Sequence, residues 1–172
     1  NLDFMESIIK EDSYVVNLAA LVGEPLCKIK PDEAVEVNYE AAKNLAELCK
    51  KKNIKKFIQL STCSNYGQAK QMVDEDGELF PTSLYAETKV RLEKYLLQNI
   101  PNSIILRCAT AYGLSVGRMR FDLLVSEFIK EAWLKKEINV FMPEVHRPIV
   151  HVSDISNAIL LCINHKEPIS RV

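Results

Sequence analysis

Tyr85 and Lys89 stand four residues apart in the run Tyr85-Ala86-Glu87-Thr88-Lys89. On a helix that spacing puts both side chains on one face, with Cβ atoms about 6 Å apart. A free phenol has a pKa of about 10 and is a poor base at neutral pH. An ammonium about 6 Å away, at an effective dielectric of about 20, favours the phenolate by roughly 2–3 kcal/mol, or about two pKa units. The pair therefore reads as a general base, with a solvated helix face as the alternative. A second group is Ser61-Thr62-Cys63-Ser64-Asn65-Tyr66-Gly67, where hydroxyls crowd the end of an apolar run. Polar groups at the end of a buried strand are either paired in a turn or used on a ligand. Arg147 precedes the short apolar stretch Ile149-Val150. It reads as a bidentate phosphate clamp or as an ordinary surface arginine.

The elements that must hold these groups follow from apolar periodicity. Strand-like runs are Tyr14–Leu18, Phe57–Leu60, Ser103–Arg107 and Ile138–Phe141. Helical patterns run from Asp32 to Lys52 behind Pro31, from Leu84 to Gln98, from Phe121 to Lys135, and from Asp154 to Ile163 with Ser153 as N-cap. Strict alternation of helix and strand predicts an α/β fold with a parallel sheet. Ligands in such sheets sit beyond the carboxyl ends of the strands. The residues there include Ala19 and Ala20 after the first strand, Ser61 and Thr62 after the second, and Cys108, Ala109 and Thr110 after the third. Small residues such as Ala19 and Ala20 let a ligand approach the backbone, or serve tight strand–helix packing.

Composition narrows the partners. With 22 basic and 23 acidic residues, net charge is −1, which gives no reason to expect nucleic acid or an anionic membrane as partner. The lysines from Lys50 to Lys56 read as a solvated helix C-terminus. Five widely spaced cysteines form no CxxC pair and suggest neither a disulfide framework nor a zinc site, so no metal is expected. Reduced thiols in a cytoplasmic protein are the default expectation. No run reaches the length of a membrane helix.

The series LAALVG, VNYEAAKNL, STCSNYG, PTSLYAETK, LRCATAYG and HRPIVHVSD, in this order, resembles the extended short-chain dehydrogenase/reductase family. That family includes NAD-dependent nucleotide-sugar epimerases and dehydratases. The resemblance runs from about Tyr14 to Asp154. It implies Tyr85 as acid/base, Lys89 as the group that tunes it and holds a cofactor ribose, and Thr62 as the hydroxyl on the substrate oxygen, with Ser61 beside it. It implies a cofactor lined by Ala19, Ala20, Asn38, Ser61, Tyr85, Lys89, Cys108, Ala109 and Thr110. Arg147 matches the family's grip on the nucleotide diphosphate. Arg118 and Arg120, in the expected substrate loop, read as helpers or as solvated side chains. The implied cofactor is NAD, with NADP left open. The implied substrate is a nucleotide-sugar, and a homodimer through the helices near Asp32 and Leu84 is expected.

Family dehydratases usually carry acidic residues after the catalytic threonine, where this chain has Cys63 and Ser64. That weakens a 4,6-dehydratase reading and favours a 4-epimerase acting through a keto intermediate. A reductase, a decarboxylase or a dehydratase of the same family, and a non-catalytic binding or regulatory protein of the same fold, are the alternatives. None of the five glycines forms GxGxxG, the turn that seats a pyrophosphate on a helix N-terminus. The expectation is thus an internal fragment, inactive alone: a partial doubly wound, Rossmann-like parallel sheet lacking its first βαβ units. Residues 1–113 would be the partial NAD(P)-binding domain, and 114–172 the start of a substrate-binding lobe.

Overall fold

A computed structural model describes residues 2–69, 71–117, 119–167 and 170–172. Helix α1 (Leu2–Ile8) leads into strand β1 (Tyr14–Asn17), followed by the short helix α2 (Glu24–Ile29). A long helical stretch then opens with α3 (Pro31–Val35), passes through a π-helical turn (Glu36–Ala41), and continues as α4 (Ala42–Lys51). Strand β2 (Lys56–Thr62) ends in a 3-10 turn, Cys63–Tyr66. Helix α5 (Leu84–Asn99), strand β3 (Ser103–Cys108), strand β4 (Thr110–Tyr112), helix α6 (Leu124–Lys135), strand β5 (Ile149–His151) and helix α7 (Val152–Asn164) complete the order.

Strands β1, β2 and β3 form one parallel sheet in chain order, and β4 pairs with β5 in a second, two-stranded parallel sheet. The α/β class and its parallel sheet are thus as the alternation implied. Successive parallel strands need a crossover, and α3–α4 and α5 supply them. These helices pack on one another and bury Ala42, Ala46, Cys49, Leu92 and Leu96 against Phe57 and Ile105 of the sheet. Strand β2, flanked on both sides, is buried at six of its seven residues. That is why its Phe-Ile-Gln-Leu run is nearly continuous in apolar character rather than alternating.

Three sequence expectations are corrected. Ile138–Phe141 is not a strand: it is irregular and exposed, and the partner of β4 is Ile149–His151. An apolar run becomes a strand only where a neighbour offers a ladder, and β4 offers it to β5. Helix α7 is capped not by Ser153 but by His151, whose ring nitrogen accepts from the Ser153 N–H at 3.3 Å. The lysine cluster is not uniformly solvated. Lys56 is 4% exposed, and its ammonium donates to the carbonyls of Cys162 (2.7 Å) and His165 (2.6 Å). It satisfies the orphan acceptors at the end of α7 and complements the negative end of that helix.

Candidate functional site

The site assembles where β2 and β3 end. Thr62 and Cys108 are direct register partners there. The Thr62 side chain accepts the Ser64 N–H at 3.1 Å and so caps the turn that follows. Gly67 ends that turn at φ +62, and a Cβ there would lie 2.2 Å from the Phe80 carbonyl oxygen. Only glycine fits, so the tight turn that sets the hydroxyl-rich strand end depends on it.

Helix α5 faces this strand end. Ser83 caps it, accepting from the Ala86 N–H at 3.3 Å, which places Tyr85 in the first turn. Lys89 is buried, and its ammonium donates to the Leu60 carbonyl of β2 at 3.1 Å. The same ammonium lies 5.8 Å from the centre of the Tyr85 ring. The electrostatics differ from the sequence expectation. Burial pushes the Tyr85 phenol up to about 12, and the neighbouring Cys27, Cys108 and Cys63 thiols add to that rise. Burial also pushes Lys89 down to about 8, against the opposing pull of Glu93 and Cys108. Desolvation disfavours both charged forms and outweighs the pairwise attraction that spacing alone suggested. The protein by itself therefore holds a protonated phenol beside a weakened ammonium.

The remaining predicted residues fall into two groups. Ala19 and Ala20 lie in the half-open loop after β1, and Cys108, Ala109 and Thr110 are half-buried where β3 passes into β4. Arg147 is exposed, but its positive charge reaches Cys63 and pulls that thiol downward against the larger effect of burial. Arg120 pairs with Asp122 and lies against the Gly23 loop. These residues surround the same strand ends. Arg118 lies outside the described residues.

Two residues expected at the cofactor are engaged elsewhere. The Asn38 side chain, from the π-helical turn, accepts the Leu21 N–H at 2.7 Å and donates to the Leu21 carbonyl at 3.0 Å. With both polar ends used and 1% of its surface exposed, it fixes the Ala19–Gly23 loop rather than touching a ligand. Ser61 points away from Thr62, as neighbours on a strand do. Its hydroxyl donates to Glu93 and accepts from Asn65. Glu93 and Arg107 were not singled out from sequence. Glu93 follows Lys89 by four residues, so it continues the Tyr85–Lys89 face, and that spacing was the available signal.

The sequence profile of the NAD dependent epimerase/dehydratase family matches residues 1–171. The chain belongs to that family. A UDP-glucuronate 4-epimerase of Thermodesulfobacterium geofontis is 30% identical over 86% of this chain and 47% of its own length. The crystal structure of a UDP-glucuronic acid 4-epimerase from Bacillus cereus, in complex with UDP-glucuronic acid and NAD, is 28% identical with a TM-score of 0.81. That match covers 99% of this chain and 54% of the other. An NAD-dependent NDP-hexosamine 5,6-dehydratase of tunicamycin biosynthesis is 26% identical with a TM-score of 0.81, over 92% of this chain and 54% of its own. The chain spans about half the length of the curated relatives it matches. The Rossmann-like fold and the family are thereby fixed.

Proposed function

We propose that the protein is an NAD-dependent nucleotide-sugar epimerase that inverts a carbinol centre through a keto intermediate. The observation that carries this reading is the Lys89 ammonium, 5.8 Å from the Tyr85 ring, at the strand end that bears Thr62. Relatives that bind UDP-sugars and NAD support it. The residues fit the nicotinamide–ribose end of such a cofactor: Ala19 and Ala20 leave the strand end open, and Tyr85 and Lys89 present a hydroxyl and an ammonium. NAD, when bound, supplies the hydride acceptor and, in oxidised form, a positive charge that favours the phenolate.

Tyr85 takes the proton of the sugar hydroxyl, with Thr62 holding that oxygen, and gives a proton back when the ketone is reduced on its other face. Lys89 donates to the ribose, and Arg147, with Arg120 near Gly23, holds the diphosphate. Residues 1–113 serve the cofactor and 114–172 begin the substrate lobe. The protein works as a homodimer through α3–α4 and α5. There Arg91 lies 4.1 Å over the Tyr39 ring, and Lys43 lies over Tyr39 and Tyr95.

The test is epimerisation of UDP-hexoses and UDP-hexuronates by the full-length protein, followed by NMR of the products. Tyr85→Phe lowers kcat by about 10²–10⁴-fold, the usual worth of a positioned acid/base, and keeps NAD affinity. Unchanged turnover in that variant removes the reading. A product that has lost water or carbon dioxide assigns the chemistry to a dehydratase or decarboxylase instead. Sedimentation equilibrium tests the dimer.

A further inference from the structure

Tyr85, Lys89 and Glu93 recur at four-residue spacing along one side of α5, with Tyr85 half-buried and Lys89 and Glu93 buried. Glu93 is 1% exposed, and every contact of its carboxylate leads to the site. One oxygen accepts from the Ser61 hydroxyl and from the Asn65 amide at 2.7 Å. Ser61 precedes Thr62 on β2, and Asn65 lies in the turn that Thr62 caps. The other oxygen accepts from two nitrogens of Arg107 on β3, at 3.1 and 2.8 Å. Arg107 also donates to the Tyr66 hydroxyl at 2.8 Å and to the Glu75 carbonyl at 2.9 Å. Asn65 turns its nitrogen to Glu93 even though its oxygen, buried, then has no hydrogen-bond partner. The carboxylate therefore dictates how the turn is held.

We propose that Glu93 is the positioning residue of this site: one buried carboxylate keeps the Lys89 ammonium charged and ties the strand end bearing Thr62 to the helix bearing Tyr85. This rests on Tyr85 and Lys89 acting as the proton relay. The groups that face Lys89 are Tyr85 and Glu93 on α5, the Leu60 carbonyl on β2 and the Cys108 thiol on β3. Of these, Glu93 is the strongest influence holding the proton on Lys89 against burial. An anion near a buried ammonium favours its charged form, so removing the anion lets the proton leave at lower pH. A purely structural ion pair with Arg107 would leave the ionisation of Lys89 where it is.

The test uses the full-length protein carrying lysine labelled with ¹³C at Cε, with the Lys89 resonance assigned by its absence in Lys89→Met. In the unmodified protein Lys89 titrates near 8. In Glu93→Gln the midpoint falls by about one pH unit, a tenfold loss of proton affinity, and the alkaline limb of kcat moves down with it. Ser61→Ala removes a hydrogen bond but no charge, and leaves the midpoint in place. If Glu93→Gln alone does not fold, Glu93→Gln with Arg107→Met removes both buried charges, a change such pairs tolerate, and the midpoint still falls. An unmoved Lys89 midpoint in the folded single or double variant overturns the proposal. Tyr85→Phe with full activity would instead overturn the proton relay on which it rests.

Discussion

A half-buried phenol and a buried ammonium, one helical turn apart, do not settle each other's charge. Water removed from both raises the cost of each ionised form, and at this site that term exceeds their attraction. The consequence reaches stability. Lys89 is held near 8 in the fold, against 10.5 for an ordinary lysine, so between those values the unfolded chain binds the proton that the folded chain has lost. The unfolded state thus binds more protons in that window, and stability from this group rises as pH climbs from about 8 towards 10.5. Below pH 8 the group's unfavourable burial is fully present. Urea melts of the unmodified protein and Lys89→Met, compared at pH 7.5 to 10, test this. The unmodified protein gains on the variant as pH rises, and a constant difference refutes it. Tyr85 and Lys89 stood out by their four-residue spacing, and Thr62 by the family resemblance at a hydroxyl-rich strand end. Glu93 did not, because its meaning comes from Arg107 and Ser61, which only the folded β2–β3 register brings to it.

At the scale of elements, local signals did well where local chemistry decides. Pro31 opens the long helix and Ser83 opens α5, each at the position its stereochemistry favours. Ser83→Ala lowers stability by about 1 kcal/mol, the typical worth of such a cap, as read from denaturant melts. Because Lys89 and Glu93 lie beyond the first turn, the alkaline limb of kcat stays in place in that variant. A moved limb would mean that the cap sets the electrostatics as well as the helix start. Local signals failed where the decision is made at a distance. Ile138–Phe141 has strand composition and no strand partner, while Lys56 reads as surface and is buried under the end of α7. The π-helical turn was likewise invisible, since nothing in its composition separates it from the α-helix on either side. Its effect is nevertheless specific. It aims Asn38 at the Leu21 backbone and so shapes the loop bearing Ala19 and Ala20. Asn38→Leu, close in volume but unable to bond Leu21, frees both backbone groups, at a cost of about 1–3 kcal/mol by thermal melt.

For the whole molecule, the alternation of helix and strand specified the class, and the three-stranded sheet delivers it. What alternation could not specify is which faces stay in water. The stretch from α6 to β5 presents Ile129, Trp133, Leu134, Phe141 and Met142, each at least 64% exposed, alongside the loop that carries Arg147. A monomeric domain rarely leaves so many large apolar side chains of one stretch bare unless something binds them. Trp133 is the single tryptophan, 75% exposed with the Lys136 ammonium 5.0 Å from its ring, so it reports on that face without labelling. With the face in water, its fluorescence is that of an exposed indole and is readily quenched by acrylamide. Cover over this face shifts the emission to the blue and blunts the quenching. Emission and quenching of a free indole would leave the patch in water and make it a surface for a separate partner.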